Sequence, residues 1–244
     1  MTENILEKKN CILTGATGGL GEEIAIQLAK KNCNLFLTSL EGNLEKLKQK
    51  LEKLNNGILI KYQQCDLRKV ENVDDLIRKT REEFTSVDIL INCAAENHRK
   101  PLSESTLEKF DSVMNLNVRA PFLLCKEFSK DMVEKKWGRI VNIASSSANH
   151  GFKHAVIYCS SKHALLGMSR ALYAELKGSN VRTFCVSPGS MKTRMAKVDK
   201  ELLAEHDYNT FMKPSEVAEF ITKIISYDNE MVSQEISLNR LNIN

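Results

Sequence analysis

The stretch Thr14-Gly15-Ala16-Thr17-Gly18-Gly19-Leu20-Gly21 decides how this chain folds. Before it, the apolar run Asn10–Leu13 reads as a strand that breaks at Thr14-Gly15. After it, Gly21–Lys31 carries Ile24, Leu28 and nearby alanines at helical spacing. The glycines at 15, 19 and 21 therefore sit at a strand–turn–helix junction. Glycine there lets the backbone turn tightly and approach a bound pyrophosphate. The helix start adds free N–H groups and a partial positive charge. A glycine-rich run alone says little; placed at this junction, residues 14–21 point to dinucleotide binding.

The same alternation continues along the chain. Strands are expected at Asn34–Thr38, Ile58–Gln63, Val87–Asn92, Gly138–Ala144, Val181–Val186 and Glu235–Leu238. Helices are expected at Leu44–Leu54, where Leu recurs at 44, 47, 51 and 54, and at Val70–Phe84, Leu107–Lys135, Ala155–Leu176 and Ser215–Ser226. Strands alternating with helices pair in parallel through right-handed crossovers. The apolar Ile89-Leu90-Ile91 and Ile140-Val141 suit strands covered on both faces. The expected fold is α/β: a Rossmann-type doubly wound parallel sheet of about seven strands, helices on both faces, in a single domain spanning 1–244. Met195–Phe211 shows no regular pattern, so residues 194–212 are a candidate substrate lid.

Composition narrows the class. The 244 residues hold 35 Lys and Arg against 31 Asp and Glu, with the signs interspersed. No basic stripe calls for a nucleic acid. No apolar run approaches the roughly 20 residues that span a bilayer, and no signal peptide is read at Met1–Asn10. The seven cysteines form no CxxC pair. Reduced thiols in a cytoplasmic protein without a metal site are expected. Cys159, beside Tyr158, is the cysteine expected to meet substrate or oxidant.

The spacing T-G-x-x-x-G-x-G resembles that of the short-chain dehydrogenase/reductase (SDR) family, and ordered matches follow along nearly the whole chain. They are Asp66 after the third strand, Asn92-Cys93-Ala94-Ala95 for the family's Asn-Asn-Ala-Gly, Asn117, the set Ser145, Tyr158 and Lys162, and Pro188-Gly189 with Thr193. The chain departs from the family at Cys93 and Ala95, and at the C-terminus, where Ser237-Leu238-Asn239-Arg240 replaces a glycine-rich segment. The resemblance implies catalysis by Asn117, Ser145, Tyr158 and Lys162, within the segment 145–162 apart from Asn117. It also implies cofactor contacts from Gly15, Thr17, Gly18, Gly19, Leu20, Gly21, Ser39, Asp66, Leu67, Asn92, Ala94, Ala95, Tyr158, Lys162, Pro188, Gly189, Met191 and Thr193. Asn117 would hold a water linking Lys162 to solvent. Assembly as a homodimer or homotetramer is implied too.

The chemistry agrees with the residue types. Carbonyl reduction needs a proton on oxygen from a donor near its working pH. A free tyrosine titrates near 10. Lys162, four residues on and one helical turn away, favours the phenolate, as does the charge of oxidised nicotinamide. A Tyr/Lys pair alone proves little; Ser145, thirteen residues upstream at a strand's carboxyl end, adds a hydroxyl for the substrate oxygen. For the cofactor, Ser39 stands where an acid would pair with ribose hydroxyls. This leans to NADP(H), while Glu41 keeps NAD(H) open. Glu96, His98, Asn149, His150, His154, Met195 and Tyr208 are candidate pocket residues. The histidines, with Lys100 and Lys153, would favour an anionic or carrier-bound carbonyl or alcohol substrate of the 3-oxoacyl acyl-carrier-protein reductase kind. A sugar or polyol dehydrogenase remains an alternative, as does a silent nucleotide-sensing or scaffold protein on the same fold.

Overall fold

A computed structural model describes residues 4–241. The strands are β1 (Asn10–Thr14), β2 (Asn34–Ser39), β3 (Ile60–Gln64), β4 (Ile89–Asn92), β5 (Gly138–Ile143), β6 (Val181–Pro188) and β7 (Glu235–Leu238). The helices are α1 (Gly19–Lys30), α2 (Leu44–Leu54), α3 (Val70–Glu83), α4 (Leu107–Met114), α5 (Ala120–Glu134), α6 (Val156–Leu176), α7 (Arg194–Val198), α8 (Lys200–Glu205) and α9 (Pro214–Ile225). All strand pairings are parallel, in the order β3-β2-β1-β4-β5-β6-β7. The chain order reverses between β1 and β4, which opens a crevice at the strands' carboxyl ends.

Two layers of helices cover the sheet. Ile24 and Leu28 of α1, Leu47 and Leu51 of α2, and Val217 and Ile221 of α9 pack on one face with Leu13, Leu35 and Ile91. Val73 and Leu76 of α3, Leu124 and Phe128 of α5 and Leu176 of α6 pack on the other with Ile12, Leu90 and Ile140. The 44/47/51 stripe is thus a core stripe, and Leu51 is fully buried, which contributes roughly 1.5–3 kcal/mol. Leu54 lies half outside that stripe, at 46% exposure. Every residue of β4 and β5 is buried, the polar Asn92, Arg139 and Asn142 along with the apolar runs Ile89–Ile91 and Ile140-Val141.

Two expectations change. The single helix read over Leu107–Lys135 is interrupted by a π-helical turn at Asn115–Arg119. The segment read as irregular between β6 and α9 holds α7, α8 and a 3-10 turn at Tyr208–Thr210. Its short helices escape periodicity analysis because each spans barely one turn or two. Phe211 is buried beside Tyr208, ring centroids 5.4 Å apart, so its hydrophobicity belongs to packing.

Candidate active site

A cavity of about 1380 Å³ runs along the carboxyl ends of the strands. The glycine turn forms one wall. Gly15 has φ +67°, and a Cβ there would come within 2.8 Å of the Ala94 backbone. A Cβ on Gly21 would lie 2.1 Å from the Gly15 carbonyl oxygen. Side chains are excluded at both, so bare backbone faces the cavity, the form a pyrophosphate needs. This cradle fits a dinucleotide.

Gly15, Thr17, Gly18, Gly19, Leu20, Gly21, Ser39, Asp66, Leu67, Ala94, Ala95, Ser145, Tyr158, Lys162, Pro188, Gly189, Met191 and Thr193 all line this one cavity. Asn92 does not. Its amide donates to Asn142 Oδ1 at 2.8 Å, which places the side chain inside the sheet rather than in the groove. Asn117 also stands behind the wall, in the π-helical turn. Its Oδ1 accepts from the Glu96 N–H (2.9 Å), and its amide donates to the Glu96 carbonyl and to Ser161 Oγ, both at 3.0 Å. The π turn presents this side chain to the Glu96 main chain and to α6.

Lys162 is fully enclosed, and its ammonium donates to the Ile143 carbonyl at 2.8 Å. Its Nζ stands 5.7 Å from the Tyr158 ring centroid. Burial pulls its pKa down to about 8. Burial also drives the Tyr158 phenol up to about 12, against a smaller downward pull from the Ser145 hydroxyl. The direction is opposite to that expected from Lys162 alone, because burial of the phenol is the largest effect on it. Ser145 caps the turn Ser146–Ala148, with the Ser147 N–H donating to its Oγ at 3.1 Å.

Of the candidate pocket residues, Glu96, His150 and Met195 line the cavity, whereas His98, Asn149, His154 and Tyr208 do not. His154 is turned to Glu201, 2.6 Å away. Cys159, read as exposed, is buried in α6. Three arginines escaped the sequence reading. Arg68 grips Asp66 through Nε (2.8 Å) and Nη2 (3.1 Å). Arg194 reaches Glu41 at 3.3 Å across 153 residues of sequence. Arg99 meets Glu205 at 2.7 Å. Adjacency to Asp66-Leu67 and to Thr193 was the available signal for the first two.

The family model for short chain dehydrogenases matches residues 9–203. The chain belongs to the short-chain dehydrogenase family. Family members of similar sequence include a 3-oxoacyl acyl-carrier-protein reductase of Buchnera aphidicola, 30% identical over 79% of this chain and 77% of its own. A D-threitol dehydrogenase of Mycolicibacterium smegmatis is 31% identical, covering 78% and 73%. An alcohol dehydrogenase from Thermococcus sibiricus, solved with 5-hydroxy-NADP, superposes with a TM-score of 0.85 at 25% identity, over 96% of this chain and 97% of that one. A 4-hydroxyisoleucine dehydrogenase solved with NADH gives 0.82 at 25% identity, over 96% and 98%. The enzyme is accordingly a hydride-transfer oxidoreductase that uses a nicotinamide cofactor. Among the described residues no helix is long and apolar enough to cross a membrane.

Proposed function

We propose that this enzyme interconverts a carbonyl and a secondary alcohol with Tyr158 as the acid–base group. The observation that carries this reading is the enclosure of Tyr158, Ser145 and Lys162 in the cavity that the glycine cradle also lines. The bound nicotinamide supplies or accepts the hydride. The protein does the rest. With its pKa at about 12, Tyr158 is protonated near neutrality and is set to give its proton to a carbonyl oxygen. Ser145 Oγ donates to that oxygen as charge develops. Lys162, tethered to Ile143, holds a positive charge beside the phenol and stabilises the phenolate left behind. Asn117, clamped to the main chain of Glu96, supports a water path that returns a proton to Lys162. In the oxidative direction the same groups run in reverse, and Tyr158, as phenolate beside Lys162, takes the hydroxyl proton.

The cofactor is NADP(H) in this reading. Ser39 has no carboxylate, and its hydroxyl donates to Thr17 Oγ1 at 2.6 Å, which in turn donates to the Glu41 carbonyl. Two guanidinium groups, Arg68 and Arg194, flank Glu41 at this end of the cavity. They favour a 2′-phosphate. NAD(H) is the second reading, and it rests on the Glu41 carboxylate. The substrate is a small carbonyl or alcohol compound, anionic or carrier-bound, because Lys100 and His150 line the mouth. The relative acting on D-threitol supports a polyol as the other reading. Seven free thiols support a cytoplasmic setting. Leu107, Phe110 and Phe122, exposed on α4 and α5, support a homodimer or homotetramer.

Titration with NADPH and with NADH tests the cofactor, and a carbonyl panel read by loss of reduced cofactor tests the reaction. Tighter binding of NADPH and turnover of a ketone are expected. Tighter NADH binding overturns the preference, and inertness toward the whole panel with cofactor bound favours the sensor reading.

A further inference from the structure

Arg99 is placed as few cations are. Its side chain is only 9% exposed, yet it lines the cavity. One Nη2–H donates to Glu205, while the buried Nε has no hydrogen-bond partner. Of the buried side-chain atoms left without partners among the described residues, Arg99 Nε is the one that belongs to a cavity-lining residue. A guanidinium presents its donors as a rigid fork that matches two carboxylate oxygens, so this fork is half used.

The chain around Arg99 is fixed. Asn97 donates to Asp199 at 2.9 Å, and the Lys100 N–H donates to the His154 carbonyl at 2.7 Å. Arg99, Asp199, Tyr158 and Lys162 all line the same cavity. The acids around it are already engaged: Asp199 by Asn97 and by the Leu202 N–H, Glu201 by His154. Glu205, at the end of α8 and 45% exposed, is the acid paired with Arg99 among the described residues, and Arg99 holds its carboxyl below the usual range.

We propose that Arg99 binds a carboxylate on the substrate, and that Glu205 occupies that place as an internal stand-in. The inference rests on the carbonyl/alcohol reading above and narrows it: the substrate is a small oxo- or hydroxy-acid, bound as its free carboxylate anion rather than as a carrier ester. Glu205, on a short and accessible helix, swings away or shares the fork when the substrate arrives. Neutral polyols leave the fork unsatisfied.

Binding without turnover tests this. Butyrate and its isosteric amide, butyramide, are titrated into the wild-type enzyme, followed by saturation-transfer NMR. Butyrate is expected to bind at least tenfold more tightly than butyramide. Arg99→Met should erase that difference, and Glu205→Gln should tighten butyrate several-fold by removing its competitor. Equal affinity for the two compounds, or butyrate binding unmoved by Glu205→Gln, overturns the proposal. An enzyme that selects butyrate yet reduces no ketone instead contradicts the carbonyl/alcohol reading, so the two failures are separable.

Discussion

The two ends of the cavity are built in opposite ways. At the glycine turn the wall is backbone, held by atoms that leave no room for side chains at Gly15 and Gly21. At the substrate end it is charge, held by pairs between distant segments: Asn97 with Asp199, Arg99 with Glu205, His154 with Glu201. The first end is set by local steric necessity and serves a cofactor of fixed shape. The second can be retuned by single substitutions at exposed positions without disturbing the sheet. Between them stands the Tyr158–Lys162 centre, which burial makes costly.

The largest expected effect is at that centre. Tyr158→Phe removes the proton donor and should lower kcat by about 10³, within the range for lost acid–base catalysis, while cofactor affinity changes little. Steady-state rates and a cofactor titration check both halves. Gly21→Ala comes next. Its methyl would strike the Gly15 carbonyl, and such overpacking costs about 1–3 kcal/mol. Urea unfolding should show the loss, and cofactor affinity should fall at least tenfold. A neutral result at Gly21 would erase the contrast between a steric end and an electrostatic end.

Lys162 gives a prediction of opposite sign. Its pKa falls from 10.5 to about 8, so the unfolded chain holds the extra proton between those values. Stability is therefore reduced in full below pH 8, and the deficit fades as pH rises from 8 to 10.5. Lys162→Met should be inactive yet more stable at pH 7. It relieves a desolvation cost of about 3 kcal/mol and forfeits a hydrogen bond worth about 1 kcal/mol. Melting temperatures across pH 7–10 check the sign and the window. In the wild type, carbonyl reduction should decline as pH passes about 8, where Lys162 loses its charge. The smallest effect is at Ser39→Asp, which should shift the NADPH/NADH preference toward NADH by roughly tenfold, about 1.4 kcal/mol, read from kcat/KM ratios.

What the sequence disclosed follows the same division. The alternation of strands and helices, the glycine turn and the Ser145–Tyr158–Lys162 set depend on local pattern, and local pattern is visible in a string of residues. The π turn that aims Asn117 was not visible, because one extra residue in a helix leaves the apolar spacing almost intact. Nor were α7 and α8, which are too short to show a period. The Asn97–Asp199 and Arg99–Glu205 pairs span more than a hundred residues. Only the fold brings them together, and with them the substrate end takes shape. Asn92 shows the converse: its place in the chain suggests the groove, and the sheet turns its amide inward to Asn142.

Label transfer follows the hydride from cofactor to product. Enzyme, a ketone panel that includes acetoacetate, and NADPH doubly deuterated at C4 are incubated together, and the product alcohol is weighed by mass spectrometry. One deuterium is expected on the carbinol carbon with the wild type, and at most about a thousandth of that initial rate with Tyr158→Phe. Bound cofactor with no label transferred to any carbonyl, or equal transfer by the two proteins, would contradict carbonyl reduction with Tyr158 as the proton donor.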